Sequence, residues 1–263
     1  MPRKILGVIP ARFASTRFPG KVLAPISSKA ELPKTMLQHV YERASSARYL
    51  TSTIIATDDE RVYAAAKGFG ARVRMTRADH LSGTDRVAEV ASAEPAEIIV
   101  NIQGDEPLID PDAIDAAILP VVHEPEIVMG TLKKRIEDPT EVANPNVVKV
   151  VTNHAGDAIY FSRWAIPYHR EGDRPRGLSH FKHVGLYVYR RDFLLGYSAL
   201  RVGPLEEAEG LEQLRALENG FRIRVVETEY ESLGVDTPED LERVSRLFDM
   251  SSDASISRGI RNG

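Results

Sequence analysis

The sequence predicts an α/β fold, a mostly parallel central sheet with helices on both faces, carrying a smaller antiparallel insertion late in the chain. Three observations carry this reading. The apolar run at 5–9, and the strand-like runs at 53–56 and 98–102 with Thr53 and Asn101 as their one polar residue each, have the character of buried parallel strands. Segments of helical spacing alternate with them through the first half of the chain. Beyond residue 133 the pattern changes to alternating strands around a turn-like His154-Ala155-Gly156-Asp157. At 263 residues, 43% hydrophobic and 27% charged, the chain suffices for one large domain over 1–250. Its main part is 1–133 and 205–250, its insertion is 134–204, and 251–263, small and polar, reads as a flexible tail.

The first strand, 5–9, stops at Pro10 and runs into a loop carrying Arg12, Arg17 and Lys21 with Ser15, Thr16 and Gly20 between them. Ligands of open α/β sheets bind beyond the carboxyl ends of strands, so three cations there require an anion. Arg suits bidentate contact with phosphate oxygens and Lys adds a movable point charge, which makes a polyphosphate the expected ligand. Two commoner phosphate loops are excluded by spelling. Gly7 lies inside the strand and Gly20 well beyond it, so there is no G-x-G-x-x-G. Gly20-Lys21 is preceded at P-loop spacing by Ser15 and followed by Val22.

A helix over 34–47 follows, entered at Pro33, with Met36, Leu37, Val40, Ala44 and Ala47 on one face. Strand 53–56 leads to a helix capped by Asp58 or Asp59 and stopped near Gly70. Strand 73–75 opens into the polar run 76–86, and 87–93 is helical. Strand 98–102 ends in Gln103-Gly104-Asp105-Glu106-Pro107. Pro111 starts a helix to 122, and 127–132 is a strand. In the insertion, 147–152 and 158–161 form a hairpin and 184–189 adds a third strand. Between them 168–180, rich in Arg, Gly, Pro and Asp, reads as a mobile loop. Leu205, Ala208, Leu211, Leu214 and Leu217 predict one helix over 205–219 ending at Gly220. Strand 223–226 precedes a last helix that starts at Pro238 with Thr237 or Asp236 as cap.

Composition excludes several classes. With no cysteine there is no disulfide, thiolate zinc site or cysteine nucleophile, and any metal must be held by oxygen. A net charge of −4 gives no global attraction to nucleic acid or acidic membranes. The apolar run at the start is too short for a signal peptide and meets Arg12, and no stretch approaches the roughly 20 apolar residues of a spanning helix. The expected setting is soluble and cytoplasmic.

Eight segments, in order over nearly the whole chain, resemble the CMP-Kdo synthetases, 3-deoxy-manno-octulosonate cytidylyltransferases. They are Ile9-Pro10-Ala11-Arg12 through Pro19-Gly20-Lys21; Thr76-Arg77-Ala78-Asp79-His80 with Ser82-Gly83-Thr84; Asn101-Ile102-Gln103-Gly104-Asp105-Glu106-Pro107; and Asn144-Pro145-Asn146 with Val148-Lys149-Val150-Val151. The rest are Tyr160-Phe161-Ser162-Arg163, His183-Val184-Gly185-Leu186-Tyr187, Leu211-Glu212-Gln213-Leu214-Arg215 and Gly234-Val235-Asp236-Thr237-Pro238-Glu239-Asp240-Leu241. One departure is local: residues 26–34 stand where relatives have a short Asn-Gly-Lys-Pro turn.

The resemblance implies a Rossmann-like nucleotidyltransferase fold that transfers CMP from CTP to the sugar acid Kdo (3-deoxy-D-manno-octulosonate). It implies pyrophosphate release, Mg²⁺ as cofactor, a role in lipopolysaccharide biosynthesis, and a homodimer formed through the smaller part. By resemblance the catalytic residues are Arg12, Lys21, Asp105 and Asp236, with Asp105 and Asp236 as the metal ligands. The nucleotide falls to Pro10, Ala11, Arg12, Arg17, Lys21, Arg77, Ser82, Gly83 and Gln103, and the sugar to Arg163, His183, Tyr187, Glu212 and Gln213. Read as residues alone, Asp236 serves equally as an N-cap, Asp105 as a turn carboxylate, Asp79 and Thr84 as caps, Tyr187 as packing and Glu212 as a solvated helix position. Hard carboxylate oxygens at strand ends nevertheless suit Mg²⁺ beside a triphosphate. His39, His123, His154 and His169 have no ligand-like spacing. Rival readings are a cytidylyltransferase for another acidic sugar, an 8-amino form of Kdo or a sialic acid, and a non-catalytic nucleotide-binding regulator.

Overall fold

The computed structural model describes residues 3–15, 17–26, 33–169 and 179–259, the side chains of 251–259 excepted. Its strands are β1 (Ile5–Pro10), β2 (Ser52–Thr57), β3 (Val73–Met75), β4 (Ile98–Asn101), β5 (Met129–Arg135), β6 (Lys149–Thr152), β7 (Ala158–Ser162), β8 (Phe181–Arg190) and β9 (Ile223–Glu227). The helices are α1 (Met36–Ser45), α2 (Glu60–Gly68), α3 (Gly83–Ser92), α4 (Pro111–His123), α5 (Thr140–Ala143), α6 (Arg191–Tyr197), α7 (Pro204–Glu209), α8 (Leu214–Glu218) and α9 (Pro238–Gly259). No helix among the described residues is long and apolar enough to cross a membrane.

The sheet runs β3-β2-β1-β4-β8-β5-β9, with β6 and β7 attached beside β8. All pairings along this path are parallel except those of β8, which is antiparallel to β4 and β5. The alternation of side chains along a strand explains why β1 is apolar throughout. Ile5 and Ile9 face a core cluster with Val62, Val100 and Ile114, while Leu6 and Val8 face a second with Val87, Val90 and Tyr189. Helices α1, α2 and α4 cover the first face and α3, α6 and α8 the second.

A third cluster positions the site. Ile26, Met36, Val235 and Val244 are buried together, with Phe18, Leu233 and Leu241 against them. It fastens the loop after β1 to the start of α9, and a backbone hydrogen bond from Val235 N to Asp105 O (2.9 Å) adds the loop after β4. Because β8 runs against its neighbours, its first half lies at the edge where β1, β4, β5 and β9 end. That edge therefore collects side chains from five strands or the loops next to them.

The structure corrects several sequence-based expectations. The third strand assigned to the insertion, β8, lies inside the main sheet. Its Lys182 pairs with Lys149 of β6, but most of its length pairs with β4 and β5. Its alternating polar and aromatic pattern reflects a face turned to a binding edge instead of solvent. The helix expected over 205–219 is two, because Gly210 takes the left-handed conformation (φ +59°) and ends α7. Cap assignments shift to Thr35 for α1, where Pro33 was expected as the entrance, and to Ser82 for α3, in a reciprocal capping box with Asp85. Helix α6 follows β8 directly, in a stretch with no predicted element. Helix α9 continues to Gly259 where a tail from 251 was predicted. Residues 27–32 of the local departure, and most of the 168–180 loop, lie outside the described residues.

Candidate active site

The loop after β1 is shaped by one glycine. Gly20 takes φ +73°, a conformation disfavoured for side-chain-bearing residues, and its N–H donates to Phe13 O at 2.8 Å, folding the loop back. The 3-10 turn Lys21–Leu23 follows and carries Lys21 inward. There the Lys21 ammonium donates to Asp105 Oδ2 (2.8 Å), Asp236 Oδ1 (2.9 Å) and Val235 O (2.8 Å). Burial opposes this charge, but Asp105 and then Asp236 overcome it and hold the Lys21 pKa above its ordinary value. Arg17 approaches Asp236 Oδ2 at 2.9 Å from the solvent side.

Asp236 is free for this because capping of α9 falls elsewhere. Asp240 N donates to Thr237 Oγ1, and the Asp240 carboxylate accepts from the N–H groups of Asp236 and Thr237. Asp105 is presented by the turn after β4, whose Gly104 is required by proximity: a Cβ there would sit 2.7 Å from Pro10 O. Its neighbour Glu106 is buried and accepts from the Tyr230 hydroxyl at 2.9 Å; burial pushes its pKa up to about 7.

Two cavities meet at this cluster. The first, about 370 Å³, is lined by Pro10, Arg12, Arg17, Lys21, Gly83, Gln103 and Asp105, among others. Arg12 is fixed by donating to His80 O at 2.9 Å, and Gln103 by donating to Gly185 O at 3.2 Å. The start of α3 reaches this cavity at Gly83, so a helix N-terminus joins the cations. The second cavity, about 820 Å³, is lined by Arg17, Arg163, Lys182, His183, Asp236 and Arg243, with Glu141 and Glu231 paired to Lys182. Arg17 borders both.

The other expected site residues are placed as follows. Ala11 is buried behind the first cavity. Ser82 caps α3. Arg77 is outside the lining, exposed and paired with Asp79. Thr16 lies outside the described residues. Of the sugar set, Arg163 and His183 line the second cavity, whereas half-buried Tyr187 and Glu212 and buried Gln213 form a separate group beside the start of α3. There Glu212 accepts from Thr84 Oγ1 (3.2 Å) and Ser82 Oγ (3.4 Å), and burial raises its pKa. Tyr187 donates to Gln213 Oε1 at 3.2 Å, and Gln213 Nε2 is a buried donor without a protein partner. The His183 ring lies 5.4 Å from that of Tyr187, tilted by 46°, and burial lowers its pKa to about 3, so its imidazole is neutral. The Thr131 hydroxyl has Leu186 O at 2.8 Å to receive its proton, so His183 Nε2, 2.9 Å away, is assigned as donor and Nδ1 as acceptor.

Among the described residues no three His, Cys, Asp or Glu side chains gather as a metal site. Asp105 and Asp236 converge on one ammonium and remain partly accessible, 32% and 44% exposed. Two carboxylates with room for water and phosphate oxygens fit what Mg²⁺ takes. Glu141, Glu231, Lys182 and Arg243 in the second cavity were missed from sequence, where isolated charges separated by tens of residues give no signal.

Known proteins match this arrangement along the whole chain. Residues 6–225 match the sequence family described as Cytidylyltransferase. A 3-deoxy-manno-octulosonate cytidylyltransferase of Solibacter usitatus is 79% identical over 263 residues, covering 100% of both chains. The protein of the same name from Geobacter metallireducens is 57% identical over 249 residues, 92% of this chain and 96% of its own. The solved structure of a CMP:2-keto-3-deoxy-manno-octonic acid synthetase complexed with CTP superposes with a TM-score of 0.88 at 44% identity, covering 94% of this chain and 99% of that one. On this full-length likeness in sequence and fold, the chain belongs to the 3-deoxy-manno-octulosonate cytidylyltransferase family.

Proposed function

We propose that the protein transfers CMP from CTP to the anomeric hydroxyl of Kdo, giving CMP-Kdo and pyrophosphate for lipopolysaccharide biosynthesis. The observation that carries this is the meeting of two cavities at the Lys21–Asp105–Asp236 cluster, one lined by the cationic loop and one large enough for a sugar acid. The hydroxyl oxygen bonds to the α-phosphorus, the bond to the β-phosphate bridging oxygen breaks, and the hydroxyl proton is released to solvent.

In this reading Arg12, Arg17 and Lys21 hold the triphosphate and the departing pyrophosphate, where charge builds up during transfer. Gln103 and the N-terminus of α3 at Gly83 orient the nucleotide. Arg163 meets the sugar's carboxylate, and neutral His183 accepts from a hydroxyl. Mg²⁺ held by Asp105 and Asp236 would polarise the α-phosphate and favour the ionised form of the attacking hydroxyl.

Assembly as a homodimer is supported by Ile159, Trp164 and Tyr168, which lie on and just after β7 and are 60%, 78% and 81% exposed. Light scattering at micromolar concentration tests it, and a monomer would refute it. The cytoplasm is the proposed location, where both water-soluble substrates would be met. The deciding experiment measures pyrophosphate release from CTP with Kdo, an 8-amino form of Kdo and a sialic acid. Turnover with Kdo at least tenfold above the others is expected; turnover only with another acid overturns the substrate, and binding of CTP without turnover of any overturns the enzyme reading.

A further inference from the structure

Lys149 opens β6 and is fully buried. Its ammonium has three donors, and each meets a backbone carbonyl: Asn144 O at 2.9 Å, Val147 O at 2.6 Å and Arg163 O at 2.5 Å. Glu209, at the end of α7, acts from the opposite side. Its carboxylate accepts from Arg163 N (2.8 Å) and Ser162 Oγ (2.6 Å), and its own carbonyl accepts from Arg163 Nε (2.7 Å). The backbone of Arg163 is therefore held between opposite charges, its N–H on a carboxylate and its C=O on an ammonium.

The side chain continues this pattern. Arg163 gives Nε to Glu209 O, one terminal nitrogen to Pro145 O at 3.1 Å and the other to Gly210 O at 3.5 Å. A guanidinium has five N–H donors, so two remain for a ligand in the cavity that Arg163 lines. The turn held by Lys149 supplies Asn146 and Val147 to the same lining. Apolar residues commonly replace buried ion pairs without loss of stability, so a fully buried ammonium caged by carbonyls calls for a reason other than packing. Burial lowers the Lys149 pKa while Glu209 opposes the shift, which couples the two charges across Arg163.

We propose that Lys149 and Glu209 are positioning residues that preset Arg163 and the 144–147 turn for the carboxylate of the acceptor. The inference rests on the acceptor cavity assigned above and concerns neither the nucleotide nor the reacting atoms.

The test is steady-state kinetics of the full chain and of Lys149→Met, Glu209→Gln and the double variant, varying CTP and Kdo separately. Misplacing a binding group by a fraction of an ångström raises the acceptor KM about tenfold in Lys149→Met and a few-fold in Glu209→Gln, with the CTP KM within about twofold of the parent. The double variant falls short of the product of the single effects, because both act through Arg163. Parallel rises in both KM values, a loss confined to kcat, or an unchanged acceptor KM overturns the proposal. Should Lys149→Met fail to fold, the KM split in Glu209→Gln decides alone. If the parent prefers another acid, the substrate reading fails separately, and the same split is measured with that acid.

Discussion

One buried lysine, Lys21, lines the first cavity and another, Lys149, stands behind the second, and their surroundings are opposite in kind. Lys21 ends between two carboxylates and one carbonyl, and its pKa is raised; Lys149 ends among three carbonyls, and its pKa is lowered. The partners of Lys21 carry formal charge and stand partly in solvent, so an incoming phosphate or cation can exchange with them. The partners of Lys149 are peptide groups that cannot leave. One lysine is thus part of a charged cluster open to ligand, and the other is part of a frame. On the proposed assignment, the nucleotide half would work by charge that responds to ligand, and the acceptor half by geometry set before ligand arrives.

The contrast breaks most readily at the carboxylates. Asp105→Ala or Asp236→Ala should lower turnover by about 10³-fold or more, since each removes one of the two carboxylates proposed to hold Mg²⁺ beside the reacting phosphate while leaving the core intact. Lys21→Met should cost about 10²- to 10³-fold, because Asp105 and Asp236 lose the ammonium they share, Asp236 keeping only Arg17, and the leaving group loses a cation. Pyrophosphate release gives the rates, and thermal unfolding checks that each variant is folded. A rate within tenfold of the parent in any of the three would mean that this cluster is as static as the frame around Lys149.

His183 sharpens the acceptor side. Its ordinary pKa of 6.5 falls to about 3 through burial, so the unfolded chain binds this proton and the folded chain does not between those values. The stability from neutral His183 is therefore complete above about pH 6.5 and is lost by about 1.4 kcal/mol per pH unit as pH falls toward 3. Urea denaturation at successive acid pH values should show a shallower decline in His183→Gln by that slope. Equal slopes in the two proteins would place a charged imidazole in the folded site, and the acceptor half would then respond to charge as the nucleotide half does.

Sequence and structure agree best where function is local. The cationic loop is legible because Arg12, Arg17 and Lys21 fall within ten residues after an apolar strand, and the β-α alternation before residue 133 follows from periodicity. What escaped reading depends on long-range placement. Nothing near Phe181–Arg190 marks β8 as a central strand, because its neighbours β4 and β5 are supplied by residues some fifty or more positions earlier. Lys149 stood in a motif that carried no role, since its task is defined by carbonyls, which every residue has. The break at Gly210 was hidden by leucines that keep helical spacing across it. Asp236 could not be told from a cap until Thr237 and Asp240 were seen to cap α9 between themselves.

The smallest expected effect follows from the opposite pKa shifts and tests the comparison on its own terms. Between 10.5 and the raised value of Lys21 the folded chain binds the extra proton, so that group's contribution to stability is lost as pH rises through this window. Between the lowered value of Lys149 and 10.5 the unfolded chain binds the extra proton, so stability gains from that group as pH rises. Buried tyrosines such as Tyr230, held protonated by burial and by Glu106, add their own alkaline loss, but they are common to all the proteins compared. Relative to the parent, Lys21→Met should therefore decline less above about pH 10.5, and Lys149→Met should decline more just below it. Urea midpoints taken in small pH steps from about 9 to 11.5 give both differences. Differences of the same sign would show that the carbonyl cage holds its proton as firmly as the carboxylates do, and the distinction between a responsive cluster and a fixed frame would lose its electrostatic basis.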